Sequence, residues 1–153
     1  MSAPKPRRSW VPSSRTSTSD HGMKRQPQGD CLEWMSSILG ALHDTRHLRI
    51  LELLMQQELC VSELVEALQL HKYEASRILG LLRHAGLLDD RREGRWIHYF
   101  VSKSVREDAF GRGLLKAIHA RIIASGEMAE DFTRLEKHFA VGAEKAGTKP
   151  LAA

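Results

Sequence analysis

The chain has 153 residues, two cysteines, 42% hydrophobic content and a formal net charge of +4. That length suits about one domain with a single core, and Cys31 and Cys60 are too few for a disulfide framework. No apolar run approaches the roughly 18 residues of a membrane-spanning helix, and no basic start leads into an apolar secretion segment, so a soluble cytoplasmic protein with no membrane partner is expected.

The charge is unevenly spread. Residues 1–29 hold Lys5, Arg7, Arg8, Arg15, Lys24 and Arg25 against Asp20 alone, so this segment carries +5 and the remainder −1. Rich in Ser, Pro and Thr and poor in aliphatics, it cannot bury enough surface to fold alone and reads as a disordered basic arm. Helical periodicity begins at Asp30, where Leu32, Met35, Leu39 and Leu42 recur at the spacing of a seam for another helix. A second helix is expected over Asp44–Met55, with Leu48, Leu51 and Met55 inward, widened by Ile50, Leu53 and Leu54, and with Arg46 and Arg49 at the surface.

From Glu58 to Val101 the pattern becomes specific. Ser62–Leu68 is a short one-sided helix with Leu64, Val65 and Leu68 on its apolar face, and Gln69-Leu70 leaves almost no loop. A second amphipathic helix follows from about Lys72 to Ala85, with Ala75, Ile78, Leu79 and Leu82 inward. Lys72, Tyr73, Glu74, Ser76, Arg77 and Arg83 lie on its outer face. Two helices joined by a tight turn, the second carrying long polar side chains outward, form the motif that lays one helix in a DNA major groove. Gly86 is placed to end that helix. A hairpin then turns at Glu93-Gly94, with Arg91, Arg92 and Arg95 at its tip and alternating Ile97, Tyr99 and Val101 on its return strand. Between His71 and Arg95 six Lys/Arg face four Asp/Glu, so any grip on DNA must be a local patch.

Ser102 or Ser104 can cap a helix over Val105–Ala124 whose stripe includes Phe110, Leu114, Leu115, Ile118, Ile122 and Ile123. Gly126 interrupts it, and Glu127–Phe139 can form a last helix using Met128, Phe132, Leu135 and Phe139. The expected organisation is therefore an arm at 1–29, a winged helix-turn-helix with dimerisation helices at 30–124, a terminal helix at 125–140 and a flexible tail at 141–153. The fold class is mainly α with a small β-hairpin and helical dimerisation elements at both ends. Surplus apolar face on the first and late helices favours a homodimer through Leu32, Met35, Leu39, Leu114, Leu115 and Ile118; the alternative is a monomer whose late helices fold back on its own core.

Leu42–Val101 resembles the ArsR/SmtB family of metal- and metalloid-responsive bacterial repressors, a match over about two-fifths of the chain. LHDTRHLRILELL is similar to the family's second helix, ELCVSEL to its Cys-Val-Cys box, SRILGLLRHAGLL to its recognition helix and RREGRWIHYFV to its wing. The resemblance implies a dimeric repressor bound to double-stranded operator DNA and released by an inducer. It places His71, Lys72, Tyr73, Glu74, Ser76 and Arg77 at the base-facing start of the recognition helix, where only Ser76 and Arg77 keep the family's residue types. Glu74 is unusual: an acid there can accept from cytosine N4 but repels phosphate. Arg91, Arg92 and Arg95 are expected to grip phosphate, which positions without specifying.

The same resemblance puts Cys60 at the first thiol of the box and Ser62 at the second. Trivalent arsenic is soft and, in the family's best-known site, takes three thiolates. Cys31 from a second copy could add one, giving a two-thiolate site for As(III) or Sb(III). Two other readings stand beside it: Cys60 as a buried small hydrophobe, or as a redox sensor, which requires exposure. The family's late-helix metal site is not met, since Arg106 and Ile122 occupy positions it needs filled by ligands, and His119 is expected at the surface or an interface. His43 and His47, four apart, are a weak divalent-ion pair or simply solvated. Nothing indicates an enzyme: there is no glycine-rich phosphate loop, no nucleophile with a placed base and no paired carboxylates. The competing function is a winged-helix protein-interaction module that has lost DNA, motivated by His71, Glu74 and the near-neutral remainder of the chain; a repressor with a redox or non-metal inducer is the other alternative.

Overall fold

The computed structural model describes residues 30–146; the basic arm and the end of the tail lie outside the described residues. In chain order the elements are α1 (Cys31–Ala41), α2 (Thr45–Gln56), β1 (Leu59–Cys60), α3 (Val61–Leu68), α4 (Lys72–His84), β2 (Leu88–Glu93), β3 (Trp96–Val101), α5 (Lys103–Glu107), α6 (Ala109–Ser125) and α7 (Ala129–Ala146). The core is built by the apolar stripes of α2, α3 and α4: Ile50, Leu51, Leu53, Leu54, Leu64, Leu68, Ile78, Leu79 and Leu82 are all essentially inaccessible. Fully burying one such side chain is worth about 1.5–3 kcal/mol. The inner face of α4 is the one its spacing predicts.

α1 joins this core through Ile38 and through Trp34, which meets Phe110 of α6 edge to face at 5.9 Å. Its predicted seam divides: Leu32 is 72% and Leu39 52% exposed, whereas Leu42 packs against the core. At the α3–α4 turn, Gln69 adopts a left-handed conformation (φ 56°), and the Leu70 N–H donates to the Val65 carbonyl. Gly86 (φ 85°) ends α4 as expected, and the Leu87 N–H donates to the Leu82 carbonyl.

The sheet is three-stranded and antiparallel, in the order β1-β3-β2. β2 and β3 pair from Leu88↔Val101 to Glu93↔Trp96, so the two-residue turn is Gly94-Arg95, one position later than predicted, with Gly94 at φ 60° supplying the positive φ. β1, which the sequence pattern missed, pairs Leu59 with Tyr99 and Cys60 with His98.

The single late helix expected over Val105–Ala124 is broken. Asp108 leaves the helical conformation (ψ 140°) and caps α6 by accepting from the Gly111 N–H at 2.8 Å. Gly111 is required there, since a Cβ would collide with the Val105 carbonyl oxygen. Ser102 precedes α5 without a side-chain cap; its hydroxyl bonds Ser104 instead. Gly126 (φ 70°) ends α6, and α7 runs beyond the expected Phe139 to Ala146; Leu135 of α7 and Met128 just before it pack into the core, while Phe139 stays 38% exposed. No helix among the described residues is long and apolar enough to cross a membrane.

Candidate nucleic-acid interface

α4 presents an outer face opposite its buried stripe. His71, Lys72, Tyr73, Ser76 and Arg77 are exposed there, Tyr73 at 82%. Lys72 and Arg77 form no ion pair among the described residues. His71 occupies the N-cap without a side-chain capping hydrogen bond, which leaves its imidazole free to meet a ligand. Glu74 departs from this pattern. Its carboxylate is half-buried and accepts from Arg46 Nη1, so the acid that stood out in the sequence is held against the start of α2.

The wing separates its three arginines. Arg91 donates to Glu58 at 2.8 Å and to Glu93 at 3.1 Å, and the Glu58 carboxylate raises its pKa further. Its charge is thus partly compensated within the fold. Arg92 donates from Nε to the Gly94 carbonyl at 3.1 Å and makes no ion pair among the described residues, and Arg95 in the turn makes none either. On α4, Arg83 is likewise spent on Asp90 at 2.6 Å. Among the described residues, the cations of this surface without an ion pair are therefore Lys72, Arg77, Arg92 and Arg95.

The surface arginines of α2 are also committed. Asp44 caps α2 by accepting from the Arg46 N–H at 2.8 Å and takes the Arg46 guanidinium on both oxygens at 3.0 and 2.8 Å. These bonds hold its carboxyl well below the usual carboxylate range. Arg49, expected in solvent, instead grips the buried Asp131 of α7.

The sensor residues divide. Cys60 is 7% exposed, with its Sγ 3.0 Å from Ser62 Oγ and its N–H donating to Glu63, so it lacks the exposure that a redox sensor requires. Cys31 is exposed, with Met35 Sδ 3.8 Å away. No cluster of three or more metal-ligating side chains occurs among the described residues. His43 stays exposed whereas His47 is buried, and each Nδ1 meets a backbone carbonyl, of Gly40 at 2.8 Å and Ala41 at 2.7 Å. His119, on the half-exposed side of α6, meets the fully buried Glu52 of α2 at 2.7 Å.

Of the predicted dimer residues, Leu32 and Leu39 are on the open surface and Met35 is half-buried. Leu114 and Ile118 pack against the protomer's own core, and Leu115 lies inside it at 8% exposure, out of reach of a second copy. The contacts sequence reasoning missed, Arg46 to Glu74 and Arg49 to Asp131, join residues 28 and 82 positions apart. Their only local signal is Asp44-Thr45-Arg46, an N-cap acid two residues before a cation.

A short helix, a left-handed turn, a second helix with a polar outer face and an antiparallel wing define a winged helix-turn-helix domain. Residues 44–90 match the family model described as bacterial regulatory protein, arsR family. Over these residues, which span its helix-turn-helix, the chain is similar to the ArsR family. It is 42% identical over 76 residues to the arsenic resistance transcriptional regulator ArsR1 of Pseudomonas putida, an alignment covering 48% of this chain and 59% of that protein. It is 45% identical over 65 residues to the arsenical resistance operon repressor of Escherichia coli, covering 42% and 56% respectively. The chain thus spans little more than half the length of these relatives. Among solved structures it is similar to a homodimeric winged helix-turn-helix DNA-binding domain from Mycobacterium bovis, with TM-score 0.50 and 27% identity over 63% of this chain and 82% of that one.

Proposed function

We propose that this chain is a dimeric transcriptional repressor that binds operator DNA through α4 and the wing and is released by an inducer. The observation that carries the reading is the set of cations without an ion pair among the described residues, Lys72 and Arg77 on α4 with Arg92 and Arg95 on the wing, next to exposed Tyr73 and Ser76. In this reading α4 enters the major groove while the wing cations hold phosphate. The competing interaction-module reading rested in part on Glu74, and its pairing with Arg46 removes that objection to DNA approach. A dimer is supported by exposed Leu32 and Leu39 on α1 and Ile123 on α6, and by the homodimeric state of the Mycobacterium bovis domain. Two copies would bring two α4 helices to half-sites about one helical turn apart.

The test is fluorescence anisotropy on DNA from upstream of the chain's own gene, across a salt series. Affinity should fall with a log–log slope of about −0.9 per phosphate contacted. Arg95→Ala should reduce that slope by about 1, and Arg77→Ala should weaken binding by about 1–3 kcal/mol if it reads a base. Absent or salt-insensitive binding would defeat the proposal.

For the inducer we propose arsenite or antimonite acting at Cys60, completed by Cys31 of a second copy. Support comes from the position of Cys60 in the box and from the arsenic-resistance roles that name the Pseudomonas putida and Escherichia coli relatives. Arsenite should release wild-type protein from DNA and leave Cys60→Ser bound; release of Cys60→Ser at the same arsenite concentration would rule the site out.

A further inference from the structure

α4 begins without the side-chain cap that ordinarily satisfies the first N–H groups of a helix. His71, at the N-cap, makes no side-chain capping hydrogen bond. What holds the first turn comes from another element. Arg46 of α2 lies with Nε and Nη2 on the two oxygens of Asp44, which fixes the plane of its guanidinium, and Nη1 then reaches Glu74. Asp44 is itself fixed by accepting the Arg46 N–H at the start of α2. A planar fork already committed on two donors loses little further freedom on making the third contact. The Glu74 side chain is only 21% exposed, so the pair is partly shielded from solvent. The cluster contains two acids and one base, which is the wrong sign for a phosphate contact.

We propose that Glu74 is a positioning residue and not a base reader: the Asp44–Arg46–Glu74 relay anchors the first turn of α4 to the start of α2, and thereby sets where Lys72, Tyr73, Ser76 and Arg77 meet DNA. The inference rests on the DNA-binding reading above. It divides the outer face of α4 into groups that touch the duplex and one that aims them. A positioning residue and a reader leave different signatures, because a lost reader relaxes preference at one base pair whereas a lost anchor weakens all sequences together.

The experiment selects bound sequences from a random duplex library with wild type, Glu74→Gln, Arg46→Gln and the double variant. It also measures amide hydrogen exchange at Ala75 and Ser76 in the free proteins, since the Ala75 N–H donates to the His71 carbonyl in the first turn. Each single variant should keep the wild-type preferred sequence, lose affinity by about 3- to 10-fold at every site alike, and exchange those amides faster. The double variant should be no worse than either single, as two ends of one interaction are not additive. Glu74→Asp, which keeps the charge, should recover part of the loss. A change of preference confined to one base pair in Glu74→Gln, additive losses in the double variant, or unaltered exchange would overturn the proposal. If wild type selects no sequence, the DNA-binding reading fails, and the exchange measurements still decide whether the anchor exists.

Discussion

Glu52→Leu is expected to raise thermal stability, an unusual outcome for substitution of a residue that hydrogen-bonds a histidine. Glu52 sits in the core run of α2 between Leu51 and Leu53 and is completely inaccessible. Oε1 meets His119 Nδ1 at 2.7 Å and accepts from Gln56 Nε2 at 3.1 Å, while Oε2 meets no donor among the described residues. Leaving one buried polar atom unpaired costs about 1–3 kcal/mol, and an apolar residue of similar shape removes that cost. Against this stands the lost contact to His119, whose side chain is 44% exposed and can rehydrate. Leucine is apolar, close in volume and suited to a helix interior, so the balance favours a net gain of about 1–2 kcal/mol, or roughly 3–8 °C in Tm. Glu52→Ala should not share the gain, since it leaves a cavity in a packed helix interface. A lower melting temperature for Glu52→Leu than for wild type, measured by differential scanning calorimetry, would show that the His119 contact outweighs the unpaired oxygen.

That buried acid also marks where sequence reading runs out. Periodicity located α2, α3 and α4 because each has one core-facing stripe, and Leu and Ile at three- and four-residue spacing match a helix face and not the alternation of a strand. The wing was legible because β2 and β3 are adjacent in the chain and glycine marks the turn. β1 was not, because two residues carry no alternation and its pairing lies some 40 residues downstream. The break between α5 and α6 was hidden because the apolar stripe continues through it; the signal lay in Asp108 three residues before Gly111, a cap followed by a position where only glycine fits. The interface shows the same division. The outward face of α4 follows from helix geometry, but which of its charges remain available depends on partners distant in sequence: Arg46 for Glu74, and Glu58 for Arg91. The family resemblance carried the fold, yet a motif of residue types holds no information on solvent access, and only the packing shows that the box cysteine Cys60 is buried against Ser62.

The other large effect is expected at Asp131 of α7, which is buried with its side chain 4% exposed. It receives Arg49 of α2 through two bonds, Nε to Oδ2 at 2.8 Å and Nη2 to Oδ1 at 2.6 Å, and a further bond from Arg134 Nη2. Arg134 in turn donates from Nε to the Ala67 carbonyl at 2.7 Å, in the last turn of α3. The carboxylate thus ties α7 to α2, and Arg134 beside it ties α7 to the first helix of the helix-turn-helix. Removing one side of a buried ion pair costs about 3–5 kcal/mol because the partner charge is stranded. Here the stranded guanidiniums are each about a third exposed, which lets water recover part of that cost, so Asp131→Ala is expected to lose about 2–4 kcal/mol in urea unfolding. Asp131→Asn keeps the shape but neither the charge nor the full acceptor capacity, and should fall between. Arg49→Ala should cost less than Asp131→Ala, since Asp131 retains Arg134. If Asp131→Ala and Arg49→Ala unfold at the same urea concentration as wild type, α7 is held by its other contacts and the carboxylate contributes nothing to its docking.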